Sequence, residues 1–266
     1  MGDERAAGRV RREPPAFRRV RVVGVTSLTA RMVRVTVGGP ELQGLVVEQP
    51  AASVRLLIPS AGAGELVMPA WGGNEFLLPD GGRPVIRTLT PLRVDPVSQQ
   101  MDLEIVVHDG GAVSAWALKA QPGDEAAMSG PGRGWPVPED AAGFLLGGDE
   151  SAIPAIGQLL DVLPGDKPVR VIVEVARPEA RLQLPEHPNA EVEWHDLPEG
   201  APPGEALVAA VTSAELAEGT KVWAAGEAAA VQRIRKHMFE DRKLARSDTW
   251  IRGYWKTGRA GDADGD

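Results

Sequence analysis

The sequence predicts a β + α/β protein: an N-terminal antiparallel β-barrel followed by a doubly wound parallel-sheet domain of the nucleotide-binding type. Three observations carry this reading. The first half is a series of short stretches in which apolar and polar residues partly alternate, the second half alternates apolar strands with helical patterns, and Trp135-Pro136-Val137-Pro138-Glu139-Asp140 separates them.

In chain order, Val20–Val25 and Met32–Val37 read as strands joined by a turn at Ser27-Leu28-Thr29, and Gly38-Gly39-Pro40 ends the second. Further strands are expected at Ser53–Ile58, Pro84–Leu89 and Asp102–Val107, a helix at Ala112–Ala120, a turn at Pro122-Gly123-Asp124 and a strand at Glu125–Met128. Beyond the break, Gly143–Gly148 is a short strand leading into Asp149-Glu150-Ser151 and a helix over Ala152–Val162. Val169–Val175 and Lys221–Gly226 are the next strands, the latter followed by a helix over Ala228–Phe239. This gives a basic arm at 1–17, a barrel domain at 18–138, an α/β domain at 139–258 and a disordered tail at 259–266.

Composition narrows the function. With no cysteine among 266 residues there is no thiolate nucleophile, disulfide or thiolate metal site, so redox chemistry must come from a bound cofactor. Four histidines leave little for a metal cluster. No apolar run spans a bilayer and the opening MGDERAAGRVRRE has no apolar core of a secretory signal, so a cytoplasmic monomer is expected. The net charge of −8 is uneven: residues 1–21 carry 7 Lys and Arg against 3 acids, residues 232–259 carry 9 against 3, and residues 22–231 carry 13 against 28. An acidic body repels a phosphate backbone, which argues against nucleic acid, whereas local positive charge near the C-terminus suits a small anionic ligand.

Four stretches in order carry a resemblance. They are Arg83-Pro84-Val85-Ile86-Arg87-Thr88-Leu89-Thr90-Pro91; Val106 to Ala117 with its His108-Asp109-Gly110-Gly111 turn; Gly147-Gly148-Asp149-Glu150-Ser151; and Ala225-Gly226-Glu227 with Gly253-Tyr254-Trp255-Lys256-Thr257-Gly258. From about Arg18 to Gly258 the chain resembles the siderophore-interacting proteins, flavin-dependent ferric-siderophore reductases of the ferredoxin-reductase-like superfamily.

The resemblance implies FAD and either NADPH or NADH as cofactors. In the family pattern Arg-x-Tyr-Thr, the arginine meets the flavin phosphate, the ring lies against the isoalloxazine and the threonine bonds near its reactive nitrogen. Arg87, Thr88 and Thr90 fit, while Leu89 stands where the tyrosine belongs and covers the ring by dispersion only. Gly111, Ala112, Val113 and Ser114 are implied to offer helix-start amides to the flavin diphosphate, with His108 beside them. Asp149, Glu150 and Ser151 follow the first strand of the second domain, where the family binds the nicotinamide cofactor; the same acids equally suit a helix cap. Arg252 and Lys256 are the candidates for drawing in an anionic ferric siderophore or other small molecule, and a ferredoxin is an alternative electron donor. No Ser-His-Asp or paired-carboxylate arrangement competes with flavin chemistry. Two alternatives stay open on the same scaffold: a flavoenzyme acting on an organic natural-product intermediate, and a non-enzymatic ligand-binding protein that has lost its flavin.

Overall fold

In the computed structural model, which describes residues 14–60, 62 and 65–258, the basic arm up to residue 13 and the tail from 259 lie outside the described residues. The first half forms β1 (Arg18–Thr29), β2 (Met32–Gly38), β3 (Val54–Ile58), the small hairpin β4 (Ala70–Trp71) and β5 (Phe76–Leu77), then β6 (Val85–Leu89), β7 (Pro91–Asp95), β8 (Gln100–Val106), helix α1 (Ala112–Ala117) and β9 (Glu125–Ser129). Seven strands make one antiparallel sheet in the order β6-β3-β9-β1-β2-β8-β7.

The two edges of that sheet, β6 and β7, are consecutive in the chain and joined by Thr90 alone. Laid flat, seven strands about 4.8 Å apart would separate the edges by about 29 Å, yet two Cα steps reach only about 7.6 Å. The sheet must therefore curl until its edges meet. Thr90 is the seam of the resulting barrel, closed there by chain connectivity rather than by a ladder.

Strand alternation fills the barrel. Val33, Val35 and Val37 of β2, Leu56 of β3 and Met101, Leu103 and Ile105 of β8 point inward and are buried, each such side chain contributing about 1.5–3 kcal/mol relative to exposure. Helix α1 adds Val113 and Ala117 to the same cluster and so stoppers the barrel, with Trp116 packed at its margin. On the outer face of β8, Asp102 and Glu104 are buried beneath Arg34, Thr36 and Arg93, which neutralise them.

The second half comprises β10 (Gly143–Asp149), α2 (Ile153–Val162), β11 (Val169–Val175), β12 (Ala190–Asp196), α3 (Glu205–Ser213), β13 (Thr220–Glu227), α4 (Ala228–Lys236) and β14 (Thr249–Trp255). Its five strands are parallel in the order β12-β11-β10-β13-β14, with the topological reversal between β10 and β13. Helices α3 and α4 cover one face; α2 and the segment carrying Leu182 and Leu184 cover the other. The strand–helix alternation fails once: between β11 and β12 only a 3-10 turn at Pro178–Ala180 forms, because Pro178, Pro185 and Pro188 remove amide donors that a helix would use. The helix expected to reach Phe239 ends as α4 at Lys236 and continues as a π turn over His237–Asp241.

The domains share a core. Met32, Ala51 and Trp135 of the barrel side belong to the apolar cluster of α2, β10 and β11, and Trp135 meets Phe144 edge to face at 6.0 Å. The linker is pinned by Lys221, whose Nζ lies 3.3 Å from Asp140 and 2.8 Å from Asp248. The hydrogen bond from Lys221 holds the Asp248 carboxyl below its ordinary range, and the reciprocal bond holds Lys221 above its own. A depressed acid stabilises the fold above its unfolded pKa and loses that contribution as pH falls through the folded value; the raised lysine loses its contribution only in strong alkali. Asp248→Asn is therefore expected to lower the melting temperature at neutral pH, with the gap to the parent closing below about pH 4. A gap unchanged across a thermal-unfolding series from pH 7 to 3 would contradict this.

Candidate functional site

The seam at Thr90 organises the site. Along β6, Val85, Arg87 and Leu89 oppose Ile58, Leu56 and Val54 of β3, so all three lie on the face that lines the barrel. Arg87 therefore lies half-buried with its stem over apolar neighbours, and its Nη1 donates to the Ile86 carbonyl at 2.7 Å. Leu89 is half-buried at the edge of the barrel core. Thr88 faces the other way, exposed, across from Arg55, because adjacent strand residues point to opposite faces, so its side chain is set apart from those of Arg87 and Leu89.

Helix α1 packs against both β6, the strand that carries Arg87, and β8. Gly111 is the N-cap residue and no side chain caps this start. The first intrahelical bond is Ala115 N–H to Gly111 O at 2.9 Å, so the amides of Ala112, Val113 and Ser114 precede the ladder. Gly111 is required by His108: a Cβ there would stand 2.6 Å from the imidazole Cε1. His108 Nδ1 lies 3.0 Å from the Asp109 carbonyl, which obliges Nδ1 to carry the proton. Ser114 is buried, its hydroxyl accepting from His108 N–H at 3.3 Å and donating to Val106 O at 3.2 Å. His108 and the Ser114 hydroxyl thus build the turn, and what the turn offers a ligand is amides.

The second domain reaches this corner twice. Gln158, a polar residue within the largely apolar α2, donates from Nε2 to the Pro91 carbonyl at 2.7 Å and accepts Ala51 N–H on Oε1 at 3.0 Å. Tyr254 of β14 lies beside Thr90 and meets Trp223 edge to face at 6.3 Å. Neither residue announces itself by pattern; the single amide in an apolar helix and the chain's one tyrosine were the available signals.

At the turn where helix amides are expected to receive the nicotinamide cofactor, the side chains of Asp149, Glu150 and Ser151 are engaged within the protein. Asp149 accepts Ser151 N–H and Oγ–H on one oxygen, and Glu227 N–H at 2.8 Å and Trp255 Nε1–H at 2.7 Å on the other. Gly226 is glycine because a Cβ there would lie 2.5 Å from Asp149 Oδ2. Glu227 in turn caps α4 through Ala229 N–H at 2.6 Å and receives Thr257 N–H at 3.1 Å. Glu150 accepts Arg31 Nε–H at 2.8 Å across the domain boundary and Ala176 N–H at 2.7 Å. The Gly-Asp-Glu-Ser and Ala-Gly-Glu motifs are one interlocked scaffold at the topological switch point; the side chains of Asp149, Glu150 and Ser151 stay inside it.

Among the basic candidates, Arg252 lies 4.8 Å over the Trp250 ring on the strand that carries Tyr254, and Lys256 is exposed just past the end of β14. The basic helix is largely neutralised: Arg233 pairs with Glu205 at 2.6 Å and Arg235 donates to the Ile251 carbonyl at 2.5 Å. Arg181 pairs with Asp196 at 2.9 Å. Among the described residues no cluster of metal-ligating side chains occurs, and no helix is long and apolar enough to cross a membrane.

A buried-stem arginine beside an uncapped row of helix amides suits a diphosphate, which wants several fixed donors. A hydroxyl at the neighbouring seam suits the polar edge of a ring. Residues 21–135 match the siderophore-interacting FAD-binding domain and residues 141–258 the siderophore-interacting protein family. A siderophore utilization protein from T. fusca superposes with a TM-score of 0.84 at 34% identity, covering 96% of this chain and 98% of that one. The NADPH-dependent ferric-chelate reductase of Escherichia coli is 29% identical over 90% of this chain and 92% of its own length. The ferric vibriobactin reductase ViuB of Vibrio cholerae is 28% identical over 89% and 88% respectively. With both halves matched in order, the chain belongs to the siderophore-interacting protein family, with an FAD-binding barrel domain followed by a parallel α/β domain.

Proposed function

We propose that this protein is an FAD-dependent oxidoreductase that passes electrons from NADPH or NADH to a ferric siderophore and so releases iron as Fe(II). The single observation that supports the reading is the barrel seam at Thr90, where β6, which carries Arg87 and packs against α1, meets Gln158 and Tyr254 of the second domain. A bound flavin supplies the conversion between hydride transfer and single-electron transfer. Arg87 and the Ala112, Val113 and Ser114 amides would hold its diphosphate, Leu89 would cover the ring, and Thr90 would bond its edge. Arg252 and Lys256 would attract the anionic chelate near that ring. Iron leaves because chelators built for Fe(III) hold Fe(II) weakly. Such transfer needs proximity and potential rather than a general acid, in keeping with a corner that offers donors and no acid–base pair.

The test is anaerobic assay of the FAD-loaded protein with NADPH or NADH and a ferric catecholate or hydroxamate chelate, with a Fe(II)-specific dye reporting product. Fe(II) formation that depends on FAD supports the reading; oxidation of nicotinamide with no Fe(II) from either chelate overturns it. Leu89→Tyr is expected to tighten FAD binding by about 2- to 12-fold, since an aromatic pair adds about 0.5–1.5 kcal/mol beyond area burial. Fluorescence titration giving an unchanged Kd would mean that residue 89 does not face the ring.

A further inference from the structure

A dinucleotide on a doubly wound sheet lies across the carboxyl ends of the strands, and its adenosine half reaches the end of the strand beside the first one. Here that strand is β11, the neighbour of β10. What stands at its end decides between two coenzymes that differ by one phosphate. A carboxylate accepts the ribose 2′-hydroxyl of NADH, whereas arginine receives the 2′-phosphate of NADPH.

Most carboxylates at this place are already occupied. Glu174, the last residue but one of β11, is buried and uses both oxygens on the amides of Gly204 and Leu207 at 2.6 and 3.0 Å. Glu150 is held by Arg31 and by the Ala176 amide at 2.7 Å, a bond that also places the end of β11 beside the turn after β10. Asp196, the last residue of β12, receives Nη2 of Arg181 on both oxygens at 2.9 Å. Glu179 is exposed, but Arg177 and Arg181 flank it in the same turn.

The cations face outward. Arg177 is exposed at the start of the 3-10 turn Pro178–Ala180, and among the described residues its side chain makes no hydrogen bond or ion pair. Pro178 fixes the backbone of that turn, which Ala180 N–H to Arg177 O at 3.0 Å and Arg181 N–H to Pro178 O at 3.1 Å close, so both arginines leave one rigid support. Leu197 N–H donates to Val175 O at 2.8 Å and keeps the ends of β11 and β12 together. The pair of Arg181 with Asp196 is solvent-exposed, 40% and 42% for the two side chains, and such a pair holds weakly. A phosphate, with more charge and more acceptor oxygens than a carboxylate, displaces it. Immediately beyond Arg181, Leu182 and Leu184 line an open cleft of about 720 Å³ together with Trp194. Trp194 and Asp196 alternate on β12 and share a face, which sets an apolar wall suited to a purine next to the ion pair.

We propose that Arg177 and Arg181 form a 2′-phosphate site that makes NADPH the preferred coenzyme, with Asp196 holding Arg181 in place until the phosphate displaces it. The cleft beside Leu182 and Trp194 is then left for the adenine. The inference rests on the reading of this protein as a nicotinamide-dependent flavoenzyme and goes beyond it by choosing between the two coenzymes and naming the residues that choose.

The test is calorimetric titration of the purified protein with adenosine 2′,5′-bisphosphate and with AMP, so that neither flavin nor iron enters the readout. The parent is expected to bind the bisphosphate about 10- to 100-fold more tightly than AMP, the range that charge-assisted hydrogen bonds supply. Arg177→Ala and Arg181→Ala should each lower that ratio by about 3- to 10-fold, and the double variant should bring it to within about twofold of one, with AMP affinity unchanged throughout. Asp196→Asn releases Arg181 and should raise the ratio by about 2- to 5-fold, a gain that a merely structural ion pair would not give. In the FAD-loaded protein the ratio of kcat/KM for NADPH over NADH should follow the same order across the variants. A parent that binds neither probe, a parent ratio near one, or a double variant that keeps the parent ratio overturns the inference. An Asp196→Asn ratio at or below that of the parent overturns the part assigned to Asp196. Absence of Fe(II) formation while the bisphosphate preference holds would overturn the ferric-reductase reading and leave this inference standing; loss of the preference while Fe(II) forms with either coenzyme would do the reverse.

Discussion

Arg87→Ala is expected to weaken FAD binding by about 10- to 100-fold, because a hydrogen bond to a charged group is worth about 1.5–3 kcal/mol and about 1.4 kcal/mol is a factor of ten. The guanidinium lies on a strand whose other inward residues are apolar, and that strand packs against the helix whose first three amides precede its ladder. Arg87→Lys keeps the charge but loses the planar fork, and should fall between the parent and the alanine variant. Titration of the apoprotein with FAD, followed by flavin fluorescence, measures this directly. Equal Kd values for parent and Arg87→Ala would remove the arginine from the site.

Glu150→Ala is expected to cost about 3 kcal/mol or more of stability while leaving the KM for NADPH unchanged. The carboxylate is buried, accepts from Arg31 at 2.8 Å and from Ala176 N–H at 2.7 Å, and joins the barrel's β1–β2 turn to the second domain. Truncating it strands a largely buried guanidinium and an amide together. Arg31→Ala should show much of the same loss, and the double variant less than the sum, because the two act as one contact. Urea unfolding and steady-state kinetics check both halves of the expectation. A raised KM with unaltered unfolding would restore Glu150 to the cofactor-binding role that its place after β10 first suggested.

The contrast between those two residues shows what the chain made legible. Strand periodicity located most of the barrel, and the glycine-rich turn after β10 located the parallel sheet, since both are local consequences of burial on one face. Strands β7, β12 and β14 were not anticipated. β12 carries Glu191, Glu193 and His195 on an edge of the sheet, where charge replaces the apolar run of a central strand. β14 is interrupted by Gly253, which is small because Ala228 lies 3.3 Å from where its Cβ would be. The helix α3 (Glu205–Ser213) follows Pro202-Pro203-Gly204 and is capped from afar by Glu174, whose oxygens accept Gly204 and Leu207 amides at 2.6 and 3.0 Å. No local pattern encodes such a cap.

The site divides along the same line. Arg87, Leu89, Thr90 and the α1 amides could be named as candidates because they are close together on one strand or one turn. The commitments of Asp149 and Glu150 were not, because an acid at a helix start looks alike whether it faces a ligand or a partner 78 or 119 residues away in sequence. Gln158 and Tyr254 were hidden for the same reason: their partners are on the other domain.

The central claim is that FAD sits at the barrel seam, with its diphosphate on Arg87 and the first turn of α1 and its ring edge at Thr90. A crystal structure of the protein grown with saturating FAD tests this most directly. The account predicts density with phosphate oxygens on the Ala112, Val113 and Ser114 amides and the Arg87 guanidinium, and the fused rings between Leu89 and β14. Flavin bound anywhere else, or a seam left empty at saturating FAD, would contradict it.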